Sequence, residues 1–233
     1  MIDLTTFAMD AHGGLDRWRQ LKTVSARLVQ GGVLWQLKGQ NGVLDDVHVT
    51  VDLRKEWASH RPFGQPDRRS AFQPDRVAIE TSNGDVLEER ANPRESFRGH
   101  KFDTPWDSLQ LAYFAGYAMW TYLNTPFLFA LPGVKTKELE SWKENGEAWR
   151  RLRVTFPERV ATHSAEQTFY FDRQGLLKRH DYERARRVID RIGDRCRHAR
   201  DGELPDSLCA KRGLGSGASR LPSKRRSQSR PRG

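Results

Sequence analysis

The chain has 233 residues and a formal net charge of +10, but neither its charge nor its aromatic content is evenly distributed. Residues 184–233 carry 15 Lys+Arg against 5 Asp+Glu, both cysteines and no aromatic residue, whereas 1–183 carry 25 of each charge and all 7 Trp, 5 Tyr and 11 Phe. A neutral, cysteine-free globular part at 1–183 is therefore joined to a basic polar segment at 184–233, which excludes thiol nucleophiles, disulfide staples and cysteine metal sites from the globular part. Its length suffices for one sizeable core.

In chain order, Leu4 to Leu21 predicts one or two short helices broken at Gly13-Gly14, with Leu15, Trp18 and Leu21 on one face. His12 fits a helix end beside its glycine stop better than a ligand. The opening Met1-Ile-Asp-Leu-Thr-Thr has neither a basic segment nor a sustained apolar run, so a cytoplasmic location is expected.

After Lys22 the period changes to two. Val47, Val49, Val51 and Leu53 alternate with His48, Thr50, Asp52 and Arg54, and the alternation returns in Val77-Ile79, Leu152-Val154-Phe156 and Gln167-Phe169-Phe171. Asn83-Gly84 and Asn145-Gly146 carry the positive φ angles of tight hairpin turns. Asn41-Gly42, Gly64–Asp67 and Asp172–Gly175 are looser connectors.

One segment breaks the period. Thr104-Pro105-Trp106-Asp107 predicts a helix start capped by Thr104, leading into an apolar run from Leu109 to Leu123. Asn124-Thr125-Pro126 breaks it before Phe127–Leu131. The helix is apolar nearly all round. Gln110, Asn124 and Pro126 interrupt the roughly twenty apolar residues that a membrane span needs, so no transmembrane segment is expected and burial against a sheet is.

The fold class that follows is mainly β (α+β): a curved antiparallel meander, or half-barrel, of about six strands and then four, with the apolar helix in its concave face. In this setting Ala11-His-Gly-Gly-Leu-Asp-Arg-Trp18, Pro105-Trp-Asp107 and Gln167-Thr-Phe-Tyr-Phe-Asp172 with Gly175-Leu-Leu177 resemble an uncharacterised bacterial family with the fold of the LolA/LolB-type lipoprotein carriers. The resemblance spans about residues 8–183. It implies an unclosed β-barrel covered by helices and holding a hydrophobic ligand. It also implies export and a sheet continuing past Tyr182; this chain shows no export signal and has the basic segment instead.

Three readings of 184–233 stay open: a disordered solvated extension, an arm that binds nucleic acid non-specifically through its charge, and an out-of-frame product truncating the domain. The abrupt change of composition favours the last. A truncated sheet would leave an unpaired edge along Leu176–Glu183.

No catalytic signature is present: there is no phosphate loop, no nucleophile elbow and no metal spacing among His12, His48, His60, His100, His163 and His180. The expected function is non-enzymatic binding or carriage of a lipid- or acyl-like ligand, with no metal and no cofactor. Its apolar lining is expected from Trp35, Leu37, Val49, Val51, Trp57, Phe72 and Ile79, and from Trp106, Tyr113, Phe114, Tyr117, Trp120 and Phe127 on or beside the helix. Core packing is the simpler role for such an aromatic stripe. The alternatives are an enzyme using His48 and His60 with Asp46 and Asp52, or His163 and His180 with Asp181, and nucleic-acid binding through the basic segment. For the last, the expected signature is affinity that falls steeply with salt and is lost on deleting 184–233; equal affinity of the shortened chain would remove it.

Overall fold

The computed structural model describes residues 2–29, 31–144 and 146–182. All of them belong to one structural unit. The Arg-rich segment, both cysteines and Glu183 lie outside the described residues.

Two short helices open the chain, α1 (Leu4–Ala11) and α2 (Leu15–Gln20). Asp3 caps α1 by accepting the Thr6 N–H at 3.1 Å. His12 closes it, its Nδ1 lying 2.8 Å from the Ala8 carbonyl, so that ring finishes a helix. Ten strands follow in two antiparallel meanders. The first sheet has the order β1 (Thr23–Val29), β2 (Asp46–Asp52), β3 (Ala58–Arg61), β4 (Arg68–Phe72), β5 (Arg76–Thr81), β6 (Val86–Ala91). The second contains β7 (Lys135–Glu144), β8 (Glu147–Thr155), β9 (Glu166–Phe171) and β10 (Leu177–Tyr182), with β7 and β10 at its edges. Between the sheets in sequence run a 3-10 turn (Pro93–Phe97), the long helix α4 (Ser108–Asn124) and a second 3-10 turn (Phe127–Ala130). The strands thus divide into two sheets, because the helical segment separates β6 from β7 and the two do not pair.

Two local expectations are corrected. Val33–Leu37, which holds Trp35 and Leu37, is a helical turn, α3, rather than part of the strand pattern. The cap of α4 is Asp107, not Thr104: its carboxylate accepts the Gln110 N–H at 2.8 Å while the Gln110 side chain accepts the Asp107 N–H at 3.0 Å. This reciprocal pair satisfies two otherwise orphaned donors. Thr104 Oγ1 instead accepts from Lys101 N–H.

The register shows where α4 lies. Val51, Ala58, Phe72, Val77 and Arg90 form one row across β2–β6. Arg90 grips the capping Asp107 at the start of α4, at 2.9 and 3.2 Å. At the far end the Trp120 indole N–H is shared by the Asp52 and Lys55 carbonyls at 2.9 and 3.0 Å. Midway, Gly116 sits directly on Phe72, and a Cβ added there would lie 2.3 Å from the Phe72 Cβ and Cγ. The helix therefore crosses the sheet along this row.

The second sheet joins the same core. Leu152, Val154, Phe169 and Phe171 are buried with Val47, Val49 and Val51 of the first sheet in one apolar cluster. Phe129 of the second 3-10 turn meets Phe169 edge-on at 4.9 Å. Phe127 stacks on Trp18 at 4.3 Å. Gly175, at φ 83°, tucks the β9–β10 turn under α1, with the Ala11 Cβ 2.8 Å from where its own Cβ would be.

The contact at Gly116 yields a direct test. Gly116→Ala gains under about 1 kcal/mol of helix propensity but forces Phe72 or the helix to move, an overpacking cost of about 1–3 kcal/mol. Urea unfolding should show a net loss of stability. A variant as stable as the parent would mean α4 does not rest on Phe72.

Candidate functional site

The expected lining residues separate into two groups. Val49, Val51, Phe72, Ile79, Tyr113, Tyr117, Trp120 and Phe127 are buried; all but Phe127, which stacks on Trp18, belong to the one apolar core cluster. Trp35, Leu37, Trp57, Trp106 and Phe114 are only half-buried. Three of these form a connected aromatic surface. Phe114 lies 4.8 Å from Trp106 and 6.1 Å from Trp35, ring centre to ring centre. Behind them, Phe97 and Tyr117 continue the ring contacts, at 5.5 Å from Trp106 and 5.4 Å from Phe114 respectively.

A buried lysine holds this surface in place. Lys38, 4 % exposed, donates to the Phe102 and Thr104 carbonyls at 2.6 and 3.1 Å and lies 4.8 Å from the Trp106 ring centre. Gln40 adds a bond to the Trp106 carbonyl at 2.5 Å. The 101–106 loop is thereby tied to the end of α3, and Trp35 and Trp106 both reach Phe114. Burial lowers the Lys38 pKa, opposed by Asp103. No sequence pattern marked Lys38, because its partners are backbone carbonyls of a distant loop.

One end of the aromatic surface is polar. His163, in the loop before β9, packs against Phe114 and Tyr117, both at 4.9 Å. It stacks on Tyr182 at 4.6 Å, with its Nε2 3.0 Å from the Tyr122 hydroxyl. His180 joins from β10, 5.5 Å from Tyr182 and 5.8 Å from Tyr122 between ring centres, its Nε2 2.5 Å from Gln167 Oε1. Burial pulls His180 down to about 4 and raises the Tyr122 hydroxyl above the usual phenol range. So His163 and His180 do converge, through two tyrosines that the sequence did not single out. Asp181 acts on His180 by its charge, raising it against the effect of burial, and accepts hydrogen bonds from Tyr170 and Arg179.

The other histidine pair comes apart. His60 is opposite Val49 in the β2–β3 register and His48 opposite Arg61, which puts the two rings on opposite faces of the sheet. His48 is exposed, and Asp46 nearby is bound by Arg27 at 2.6 and 2.8 Å. His60 is wholly buried. Its backbone N–H donates to Ser70 Oγ at 2.9 Å and its Nδ1 lies 3.2 Å from the same oxygen. Burial pulls its pKa to about 4, so the ring is neutral at physiological pH.

A third cluster ties the two sheets together. Glu56, in the β2–β3 loop, accepts the Ala161 N–H at 3.2 Å through Oε2. Arg94 of the first 3-10 turn donates to the Thr162 carbonyl at 3.3 Å. Burial pushes the Glu56 carboxyl up to about 8, against the pull of Ala161 and Arg94.

Among the described residues no group of three or more His, Cys, Asp and Glu is placed to hold a metal ion. Nor is any helix among them long and apolar enough to cross a membrane.

The buried groups predict an interior optimum of stability in pH. Glu56 binds its proton in the native state up to about 8 but only to its ordinary 4.5 when unfolded, so stability falls as pH rises between those values. His60 and His180 titrate near 4 rather than at the ordinary 6.5, so the unfolded chain takes up protons first and stability also falls as pH drops from 6.5 toward 4. Urea midpoints from pH 4 to 9 should peak near pH 6.5, where the gain from the two histidines is complete and only the Glu56 decline remains. Glu56→Gln should remove the alkaline decline, on the order of 2 kcal/mol; an unchanged decline would place its origin elsewhere.

Comparison of the chain with protein-family models, with curated proteins and with solved structures finds no match, so function has to be read from this geometry.

Proposed function

We propose that the protein binds a hydrophobic, acyl- or lipid-like molecule without turning it over, and that the ligand lies on the surface made by Trp35, Trp106 and Phe114. The observation that carries this reading is that three large rings, Trp35 and Trp106 each in contact with Phe114, are left half-buried side by side. Contiguous exposed apolar surface marks binding sites more often than isolated apolar residues do. Helix α4 supports it as well. One side meets the sheet at Gly116 and Phe72, while Phe114, Met119 and Leu123 stay partly exposed. A helix with a second apolar side has use for a second apolar neighbour.

Affinity on such a surface comes from apolar area removed from water, roughly 25 cal/mol per Å² before ordering costs. In this reading the two sheets and α4 serve as the open half-barrel of a carrier like those of the LolA/LolB type. The polar end at His163, Tyr122 and Tyr182 would then set the limit of the apolar body of the ligand.

Solvent extraction of the purified full-length chain, followed by mass spectrometry, should release an acyl lipid. Trp35→Ala should weaken an environment-sensitive acyl probe by about tenfold, ~1.4 kcal/mol, whereas Trp142→Ala on the second sheet should not. A chain that yields no lipid and binds no probe is not a carrier.

A further inference from the structure

One group in the interior lacks the partner its chemistry calls for. Glu56 Oε1 is shielded from solvent and has no hydrogen-bond partner, although Oε2 of the same carboxyl accepts the Ala161 N–H. Buried polar atoms without partners are costly and uncommon. The carboxyl is held protonated to about pH 8 by burial. Since Oε2 is occupied as an acceptor, the proton belongs on Oε1, which makes that atom an unused donor.

Two more donors meet it there. Tyr113, on α4 and 2 % exposed, interacts with both Arg94 and Glu56, and burial raises its hydroxyl so that it keeps its proton. Arg94 acts on Glu56 through space and donates a hydrogen bond to the Tyr113 hydroxyl. It is exposed and makes no ion pair with either among the described residues. A carboxylic acid, a phenol and a guanidinium come here from three different elements: Glu56 Oε2 accepts from Ala161 and the Tyr113 oxygen from Arg94, which leaves the hydrogens on Glu56 Oε1 and on the Tyr113 hydroxyl to be donated. A clasp between loops is already complete in the Glu56–Ala161 and Arg94–Thr162 bonds; it leaves Oε1 idle.

The same ring of contacts leads to the aromatic surface. Tyr113 lies 5.3 Å from Tyr117 and 6.0 Å from Phe97, which in turn meet Phe114 and Trp106. We propose that the Glu56–Arg94–Tyr113 cluster takes the carboxylate of an acyl-chain ligand, Arg94 serving as its counter-ion and Tyr113 and Glu56 Oε1 as its donors. This rests on the hydrophobic-ligand reading above and adds the class of head group to it. Guanidinium–carboxylate bonds are charge-assisted and geometrically selective, so the cluster separates a fatty acid from a neutral lipid of the same length. Loss of the Glu56 proton would set two carboxylates against each other, with Arg94 and the Ala161 N–H as the groups among the described residues that offset charge on Glu56.

The test is a calorimetric titration of the delipidated full-length chain with dodecanoate and with dodecanol at pH 6.5. Dodecanoate should bind at least about tenfold tighter, as expected for a charge-assisted contact. Arg94→Gln should bring the two within about twofold, and Tyr113→Phe, which keeps the ring contacts, should narrow the gap by about threefold. Raising the pH to 9 should erode the preference in the parent but not in Glu56→Gln. Equal binding of the two amphiphiles, or a preference untouched by Arg94→Gln, overturns the head-group site alone. Binding of neither overturns the hydrophobic-ligand reading with it.

Discussion

The arrangement depends on how closely α4 can approach the first sheet. At Gly116 the helix backbone rests on the Phe72 ring with no room for a side chain between them. That contact fixes the height of the helix, while the Arg90–Asp107 pair and the Trp120 indole N–H fix its two ends. With one side of α4 pressed onto Val51, Ala58, Phe72 and Val77, the opposite side meets other elements. Phe114 and Tyr117 thereby meet His163 of the loop before β9, and the first sheet is joined to the second through aromatic contacts. Apolar area drives the association; the glycine decides its geometry.

An interior assembled this way is a poor medium for charge, and the buried titratable groups respond alike. His60 and His180 stay neutral and Glu56 keeps its proton, each because burial disfavours the ionised form. Apart from Lys38, which is held by carbonyls, ion pairs lie on the sheet surfaces. Arg150 pairs there with Glu138, Arg69 with Glu80 and Arg76 with Glu89, contacts that set register more than stability. Polar groups inside serve as hydrogen-bond donors and acceptors between elements. They mark the seams where loops from the two sheets meet.

Much of the layout was legible because it is local. The period-two valines of β2, the Asn-Gly turn between β5 and β6 and the helix break at Gly13-Gly14 all follow from the geometry of a few neighbouring residues. The apolar character of α4 announced a buried helix without naming its neighbours. Val33–Leu37 was misjudged as part of the strand pattern because its apolar spacing suits either period; the helical turn is closed by Lys38 N–H on the Leu34 carbonyl and backed by Lys38 bonds to residues over sixty positions away. The cap at Asp107 was missed for a smaller reason, since Thr104-Pro105 offers an equally good local start.

The sequence by itself determined the order of helices and strands, the neutral charge of 1–183 and the composition of the core, because each rests on near-neighbour chemistry and on totals. Only the tertiary structure decided which side chains meet. Strand register put His48 and His60 on opposite faces, and the crossing of α4 brought His163 and His180 to the same tyrosines. It also left Glu56 Oε1 without a partner beside Arg94 and Tyr113. Such meetings depend on pairings between distant segments, which packing selects and local pattern does not encode.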